Sequence, residues 1–420
     1  MTDPVTRSRD RLSDHMKHRI VILGAGYAGA SAAGRLARRL HADDVDLVLV
    51  NAEPDFVERV RLHQVAAGQE LRPRPLPDML AGTGVTLRVA RVTAVDVDRK
   101  VVALTDAEGG DANGGTADGG SAELGYDTLV YALGSSMAEH GVPGVAEHAY
   151  EVASRPGALR LRDRLAELAP GGRVVVVGGG LTGIEAASEL AEARGDLDVA
   201  LAVRGDLGDW LSPAGQRHVR TVFDRLGVTV HEHADVEQVG ATEVLTGDGT
   251  TIPADVTAWS AGFAVHPIAA ATGLRVSASG QVVADGTMRS VSHPDVYAVG
   301  DAALADGPLG TPLRMSCASG IPMAWQAADS IAARLTGGKL PNAPLGYVHQ
   351  CISLGRQDAV IQLVTADDRA KPAAPGGRLA ARYKELICKG AAYMVAHPLP
   401  YPARRRRLSA PARTTEPSRV

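Results

Sequence analysis

Two stretches, Gly24-Ala25-Gly26-Tyr27-Ala28-Gly29 and Gly178-Gly179-Gly180-Leu181-Thr182-Gly183, decide how this chain is read. Each follows a short apolar run, Arg19 to Leu23 in the first case and Arg173 to Val177 in the second. Each opens a segment of small and apolar residues with helical character, Ala28 to Leu40 and Ile184 to Ala193, and a second apolar run closes each unit, Asp46 to Val50 and Leu197 to Val203. Strand, glycine turn, helix and strand in that order make a βαβ unit of a parallel sheet. In a GxGxxG turn the first glycine permits the bend, the second lets backbone N–H groups approach a pyrophosphate, and the third lets the helix pack closely on the strand. The helix N-terminus adds partial positive charge. One such match is weak, because glycines also mark ordinary turns. Two matches, each in the right strand–turn–helix setting, point to two dinucleotide sites.

Composition agrees with a globular chain and narrows its class. With 420 residues, 45% hydrophobic and 22% charged, there is material for two or three domains, and 4% aromatics make their cores aliphatic. A formal charge of -4 gives no global reason to expect nucleic acid, whose binders usually carry a basic face. Cys317, Cys351 and Cys388 form no CxxC pair, so neither a disulfide framework nor a thioredoxin-like motif is expected. The polar first 18 residues lack the apolar stretch of a secretory signal. No run reaches the roughly 18 apolar residues of a membrane-spanning helix. The chain is read as cytoplasmic, with no metal site.

The fold expected is α/β: two Rossmann-like, three-layer dinucleotide-binding domains with a small C-terminal α+β domain. The boundaries expected are a polar lead 1–18, a discontinuous first domain 19–150 and 275–340, a second domain 151–274, a small domain 341–400 and a loose basic tail 401–420. Val85 to Thr105 and Tyr126 to Leu133 read as strands, with the glycine-rich Gly109 to Ser121 as a hairpin tip. Alternating apolar residues from Leu345 to Leu363 predict a further sheet.

A third element, Pro294-Asp295-Val296-Tyr297-Ala298-Val299-Gly300-Asp301, is a strand that ends on a carboxylate beside glycine. Within Thr287 to Ala303 it resembles the second FAD fingerprint of the pyridine-nucleotide flavin reductases. The resemblance implies that Asp301 binds the ribityl chain of FAD, a role that suits an acceptor-only group. Leu129-Val130-Tyr131-Ala132-Leu133-Gly134-Ser135 resembles the linking ATG signature with Leu133 in place of Thr, and Trp259-Ser260-Ala261-Gly262 its counterpart in the second unit. From about Arg19 to Leu363 the chain is most similar to the type II NADH dehydrogenases. The absence of cysteine before Cys317 sets it apart from disulfide-reducing relatives.

The resemblance implies FAD and NAD(P)H as cofactors, hydride transfer from nicotinamide to flavin, and electron delivery to a quinone or another small acceptor. The cofactor-binding residues expected are Gly24, Ala25, Gly26, Ala28, Gly29, Asn51, Arg59, Val92, Ala132, Gly134, Gly178, Gly180, Gly183, Arg204, Gly262, Gly300 and Asp301. Glu185 is the expected catalytic acid, facing nicotinamide and flavin. Arg59, Arg61 and His63 alternate and would share one face of an extended segment. Arg204 stands where NADH-using relatives carry Glu, which favours the 2′-phosphate of NADPH, with Asp206 opposing.

Three departures keep the acceptor open. Asn51, with Glu53 two residues on, replaces the usual acid for the FAD ribose. Met315 to Gln326 lacks the glutamine pair that begins the quinone-associated helix of those enzymes. Their membrane-binding tail has no clear counterpart, although Leu386 to Tyr401 followed by Arg404–Arg407 could touch an anionic surface. A ferredoxin-feeding or tailoring flavin reductase, and a redox sensor that binds both nucleotides, are the alternatives. The reading also leaves room for a homodimer.

Overall fold

A computed structural model describes residues 17–106, 122–341, 344–397 and 404–409. The expected hairpin tip at Gly109 to Ser121 lies outside them. The first sheet has seven strands among the described residues. It starts from β1 (His18–Leu23), which leads through α1 (Tyr27–Arg39) to β2 (Val45–Asn51). The turn Arg59–Arg61, α2 (Leu62–Ala66) and α3 (Leu76–Leu80) follow. Next come β3 (Val85–Asp96), β4 (Val101–Asp106), β5 (Ala122–Gly125) and β6 (Thr128–Tyr131). Ile20, Val21, Ile22 and Leu23 are all fully buried, as a strand covered on both faces of a parallel sheet must be.

The second sheet is parallel throughout its five described strands. After β7 (Ser135–Met137) and α4 (Val145–His148) it is built from β8 (Ala149–Glu151), α5 (Arg155–Ala166), β9 (Arg173–Val177), α6 (Leu181–Ala193), β10 (Asp198–Ala202), α7 (Pro213–Leu226) and β11 (Thr229–His231). An antiparallel meander, β12 (Val236–Val239), β13 (Glu243–Thr246) and β14 (Thr251–Pro253), precedes β15 (Val256–Trp259). Helices α5, α6 and α7 pack with one face of this sheet, and the meander packs with Val175, Val177 and Trp259 on the other. Because β8 pairs with β15, the boundary expected between 150 and 151 falls inside a strand of the second sheet.

The chain then pairs β16 (Phe263–Val265) with β7, passes β17 (Val282–Val283), and returns to the first sheet through β18 (Val296–Ala298). After β19 (Ala303–Leu304), α8 (Cys317–Thr336) lies against α1. The last elements are the hairpin β20 (His349–Ser353) and β21 (Ala359–Leu363), and α9 (Arg378–Ala396), which packs on α1 and that hairpin.

Two expectations are corrected here. Arg59, Arg61 and His63 do not lie on an extended strand, because a helical turn runs straight into α2 and brings Arg61 within 3.2 Å of Glu58 three residues back. Arg61 and His63 are buried as a result. The basic tail is not loose over its described part. Arg406 bridges to Leu40, Arg407 pairs with Asp43 and Asp44 at 2.9 and 2.7 Å, and the Leu408 N–H donates to Asp44.

Candidate active site

The register lines up the C-terminal ends of the central strands. Leu23 is level with Val50 and Tyr131 in the first sheet, and Val177 with Ala202 and Trp259 in the second. Both glycine turns therefore emerge at the carboxyl edge of a parallel sheet, where ligands of such folds bind. They open into one cleft of about 1640 Å³.

The glycines divide by role. A Cβ on Gly29 would lie 1.8 Å from the Gly24 carbonyl oxygen, and one on Gly183 would lie 1.9 Å from that of Gly178. These two glycines let helix and strand touch. Gly24 and Gly178 have φ of 93° and 126° and press against the ends of β6 and β15, at Ala132 and Ser260. Gly26 and Gly180 face open space and start α1 and α6 without a side-chain cap. By contrast α5, α7 and α8 are capped by Ser154, Ser212 and Ser316. The first-turn N–H groups of α1 and α6 are thus left for an acceptor in the cleft, which fits the pyrophosphates of two dinucleotides.

Most of the expected residues line this cleft: Ala25, Gly26, Ala28, Asn51, Arg59, Ala132, Gly134, Gly178, Gly180, Glu185, Arg204, Gly262, Gly300 and Asp301. Gly24, Gly29 and Gly183 lie behind it in the packing just described. Val92 does not line it either; the side chain is buried in the core of the first unit, and the neighbouring Arg91 reaches the cleft. Asn51 is turned inward, accepting from the Ala25 N–H at 2.9 Å and donating to the Glu53 carbonyl at 2.8 Å. It braces the glycine turn, and Glu53 and Asp55 of the same segment line the cleft wall. Asp301 accepts from Ser135 Oγ at 2.7 Å and lies 3.6 Å from Arg59, whose guanidinium covers the Phe263 ring.

Glu185 is 3% exposed. One of its oxygens accepts from the Ser353 N–H and hydroxyl at 2.9 and 3.0 Å and from Lys384 Nζ at 2.9 Å; the other is 3.9 Å from His63 Nδ1. Burial opposes its charge, but Lys384, His63 and the Ser353 N–H outweigh that and hold the carboxyl below its usual range. Burial would likewise lower Lys384, yet Glu185 pushes its ammonium up. Burial takes His63 down to about 4, so it is neutral near pH 7. The result is a buried ion pair, Glu185 with Lys384, at the wall of the cleft.

Lys384 escaped the reading of the sequence. Its signal is positional: Ala380, Cys388, Ala391, Ala392 and Val395 form the buried stripe of α9, and a lysine four residues from Ala380 and from Cys388 falls inside that stripe. A charge there needs a buried partner, and Glu185 is it. The three cysteines, distant in sequence, all come near Lys384. Burial pushes the Cys351 thiol up to about 12 and raises Cys317 and Cys388 as well, which makes them poor nucleophiles.

Comparison with known proteins agrees with this geometry. Residues 18–332 match the pyridine nucleotide-disulphide oxidoreductase family. An NADH dehydrogenase-like protein of Mycobacterium tuberculosis is 31% identical over 367 residues, covering 81% of this chain and 87% of the relative. The demethylphylloquinone reductase NdbB of Synechocystis is 26% identical over 359 residues, covering 82% and 86%. Among solved structures, the sulfide:quinone oxidoreductase of Aquifex aeolicus superposes with a TM-score of 0.74 at 19% identity, over 90% of this chain and 91% of that one. NDH2 of Plasmodium falciparum, in complex with NADH, gives 0.73 at 14% identity over 90% and 97%. The chain belongs to the pyridine nucleotide-disulphide oxidoreductase family and is an oxidoreductase of FAD and NAD(P)H.

Proposed function

We propose that this protein takes hydride from NAD(P)H onto FAD and passes the electrons to a quinone. The observation that carries the reading is the single cleft shared by both glycine turns, with the Glu185–Lys384 pair in its wall. FAD supplies the two-electron carrier between donor and acceptor. The turn at Gly24 to Gly29 holds its pyrophosphate, Glu53 its ribose and Asp301 its ribityl hydroxyls. The turn at Gly178 to Gly183 holds the nicotinamide nucleotide, and orientation of the two rings provides much of the rate.

Arg204, exposed after β10, lines the cleft, which supports a contact with a 2′-phosphate. Asp206, which would oppose it, is engaged by His233 at 3.1 Å. NADPH should therefore serve at least as well as NADH.

The acceptor side is formed by Tyr347 to Cys351 and by Lys384 and Ile387 of α9. Val348 is 71% exposed there, and α9 turns Leu379, Tyr383, Leu386, Ile387 and Tyr393 outward. This apolar rim supports a quinone as acceptor and peripheral contact with a lipid surface, through the outer face of α9 rather than the arginine tail. No helix of the described residues is long and apolar enough to cross a membrane. The test is an acceptor screen on the reduced protein with short-chain quinones, ferricyanide and an iron–sulfur protein. Rapid turnover with quinones is expected. Turnover with the iron–sulfur protein alone would replace this reading with that of a ferredoxin-type reductase.

A further inference from the structure

Helix α6 carries Glu185, Glu189 and Glu192, and of these only Glu185 lines the cleft. Spacings of four and three residues stack them along one helical face, running from the cleft toward the surface. The middle one is unusual. Glu189 is 1% exposed; one carboxyl oxygen accepts from Gln69 Nε2, and the other has no hydrogen-bond partner among the described residues. A carboxylate with a bare oxygen in so dry a place is costly, whereas the neutral acid is tolerated. Burial pushes Glu189 up to about 7, with Glu192 and Glu185 adding to the rise and Arg356 and Gln69 opposing it. The neutral acid is thereby favoured at this position over a wider pH range than for an ordinary glutamate.

An acid stands one helical turn away on either side, and the charges of both are felt at Glu189. Toward the cleft, one helical turn away, Glu185 is bonded to Lys384 and Ser353 and faces His63. Toward solvent, Glu192 is half-buried and accepts from the Arg356 N–H in the turn after β20. Arg356 also reaches Glu385 of α9 at 3.3 Å.

We infer that Glu189 is a proton-relay residue, carrying protons from the Glu192 end of α6 to the Glu185–Lys384 pair for delivery to the acceptor. The inference rests on the reading of the protein as a nicotinamide-dependent reductase. Hydride from NAD(P)H brings two electrons and one proton, and a quinone becoming a hydroquinone takes up two electrons and two protons. The second proton comes from water. Glu189 passes it to the Glu185–Lys384 pair as that pair gives one up at the cleft, and water beside Glu192 restores it. Glu189 does not touch the acceptor and acts through Glu185.

The experiment compares wild type with Glu189→Gln, an amide that keeps the size and the contact with Gln69. Infrared titration of the flavin-loaded protein should show a buried carboxylic acid that ionises near pH 7 and is missing from the variant. The ratio of quinone turnover to ferricyanide turnover should fall roughly 10- to 100-fold, because ferricyanide takes electrons without protons. The pH limb near 7 should vanish with it. An unchanged ratio and pH profile, or a wild-type Glu189 that ionises in the ordinary carboxylate range, overturns the relay. Should wild type reduce no quinone, the acceptor reading fails by itself. The relay is then judged with dioxygen, which also takes up two protons on reduction to peroxide; an unchanged rate in Glu189→Gln overturns it.

Discussion

Helices α1 and α6 occupy matching places in the two dinucleotide units, and they differ in the charge that each buries. In α1 the buried group is Arg35, 4% exposed, which grips Asp329 of α8 through bonds of 2.9 and 2.6 Å while Arg39 shares the same carboxylate. In α6 the buried groups are acids. Glu185 is held by a lysine from α9, and Glu189 is only half satisfied. A charge closed by a bidentate partner fastens two helices together. Acids held by a lysine at the cleft wall, or left partly bare, retain the capacity to exchange protons. On the function proposed above, the same βαβ grammar serves as scaffold in one unit and carries chemistry in the other.

The largest effects should come from the glycines on which the two units agree. In Gly29→Ala or Gly183→Ala the new methyl meets a backbone oxygen that cannot rotate away, so each should lose about 3 kcal/mol or more. Gly29→Ala should be depleted of flavin. Gly183→Ala should keep its flavin and bind NAD(P)H poorly, as measured by flavin absorbance and nucleotide titration. Equal loss of both ligands in both variants would mean that the units are not separate sites.

Next come the two buried charges. Asp329→Ala removes the carboxylate that Arg35 and Arg39 share and Lys384→Met the cation that Glu185 holds, and each should destabilise the fold in denaturant titrations, Lys384→Met by about 3–5 kcal/mol. They should part company in kinetics: Lys384→Met should also slow quinone turnover, while Asp329→Ala should not. A parallel loss of turnover in Asp329→Ala would remove the distinction drawn between α1 and α6.

The pH dependence of stability sharpens the contrast within the second unit. His63 is pushed down to about 4 by burial, so its contribution is present above its ordinary value near 6.5 and is lost as pH falls toward 4. Glu189 is pushed up to about 7, so its contribution is present below the ordinary carboxylate value and is lost as pH rises through 7. Each is worth about 3 kcal/mol by linkage, and they oppose one another. Wild-type stability should be nearly flat between pH 5 and 7. His63→Gln should then lose stability as pH rises across that window, and Glu189→Gln should gain it. Chemical denaturation at three pH values checks this, and parallel curves for all three proteins would contradict it.

The smallest expected effect is at the adenosine end, where the units differ by one side chain after the second strand. Asn51 and Arg204 both line the cleft, and Asn51 also braces its own glycine turn. Arg204→Glu should weaken NADPH relative to NADH by about tenfold, the scale of one charge-assisted contact. A strong NADH preference that persists in the variant would show that Arg204 takes no part.

Much of this is legible in the sequence. The run Arg173–Val177 is β9 residue for residue, and the helices after both glycine turns end within a residue of where the pattern placed them. Apolar runs and glycine spacing are local signals, and parallel strands covered on both faces display them strongly. What was missed depends on contacts distant in sequence. Alternation alone could not show that Glu58 and Arg61 would close a helical turn. Lys384 acquires its role only because α9 packs back toward Glu185. That Asn51 also accepts from the Ala25 N–H appears only in the fold, and the tail reads as solvated until Asp43 and Asp44 are found beneath Arg407.

Everything above turns on one protein joining two dinucleotides in a single cleft, and anaerobic rapid mixing with NADPH tests that most directly. The purified protein should be yellow, should release FAD on denaturation, and should lose its flavin absorbance band when NADPH is added, with Glu185→Gln bleaching more slowly at the same flavin content. A folded protein that is colourless and cannot be reconstituted with FAD, or one whose bound flavin is reduced by neither NADPH nor NADH, would contradict the account.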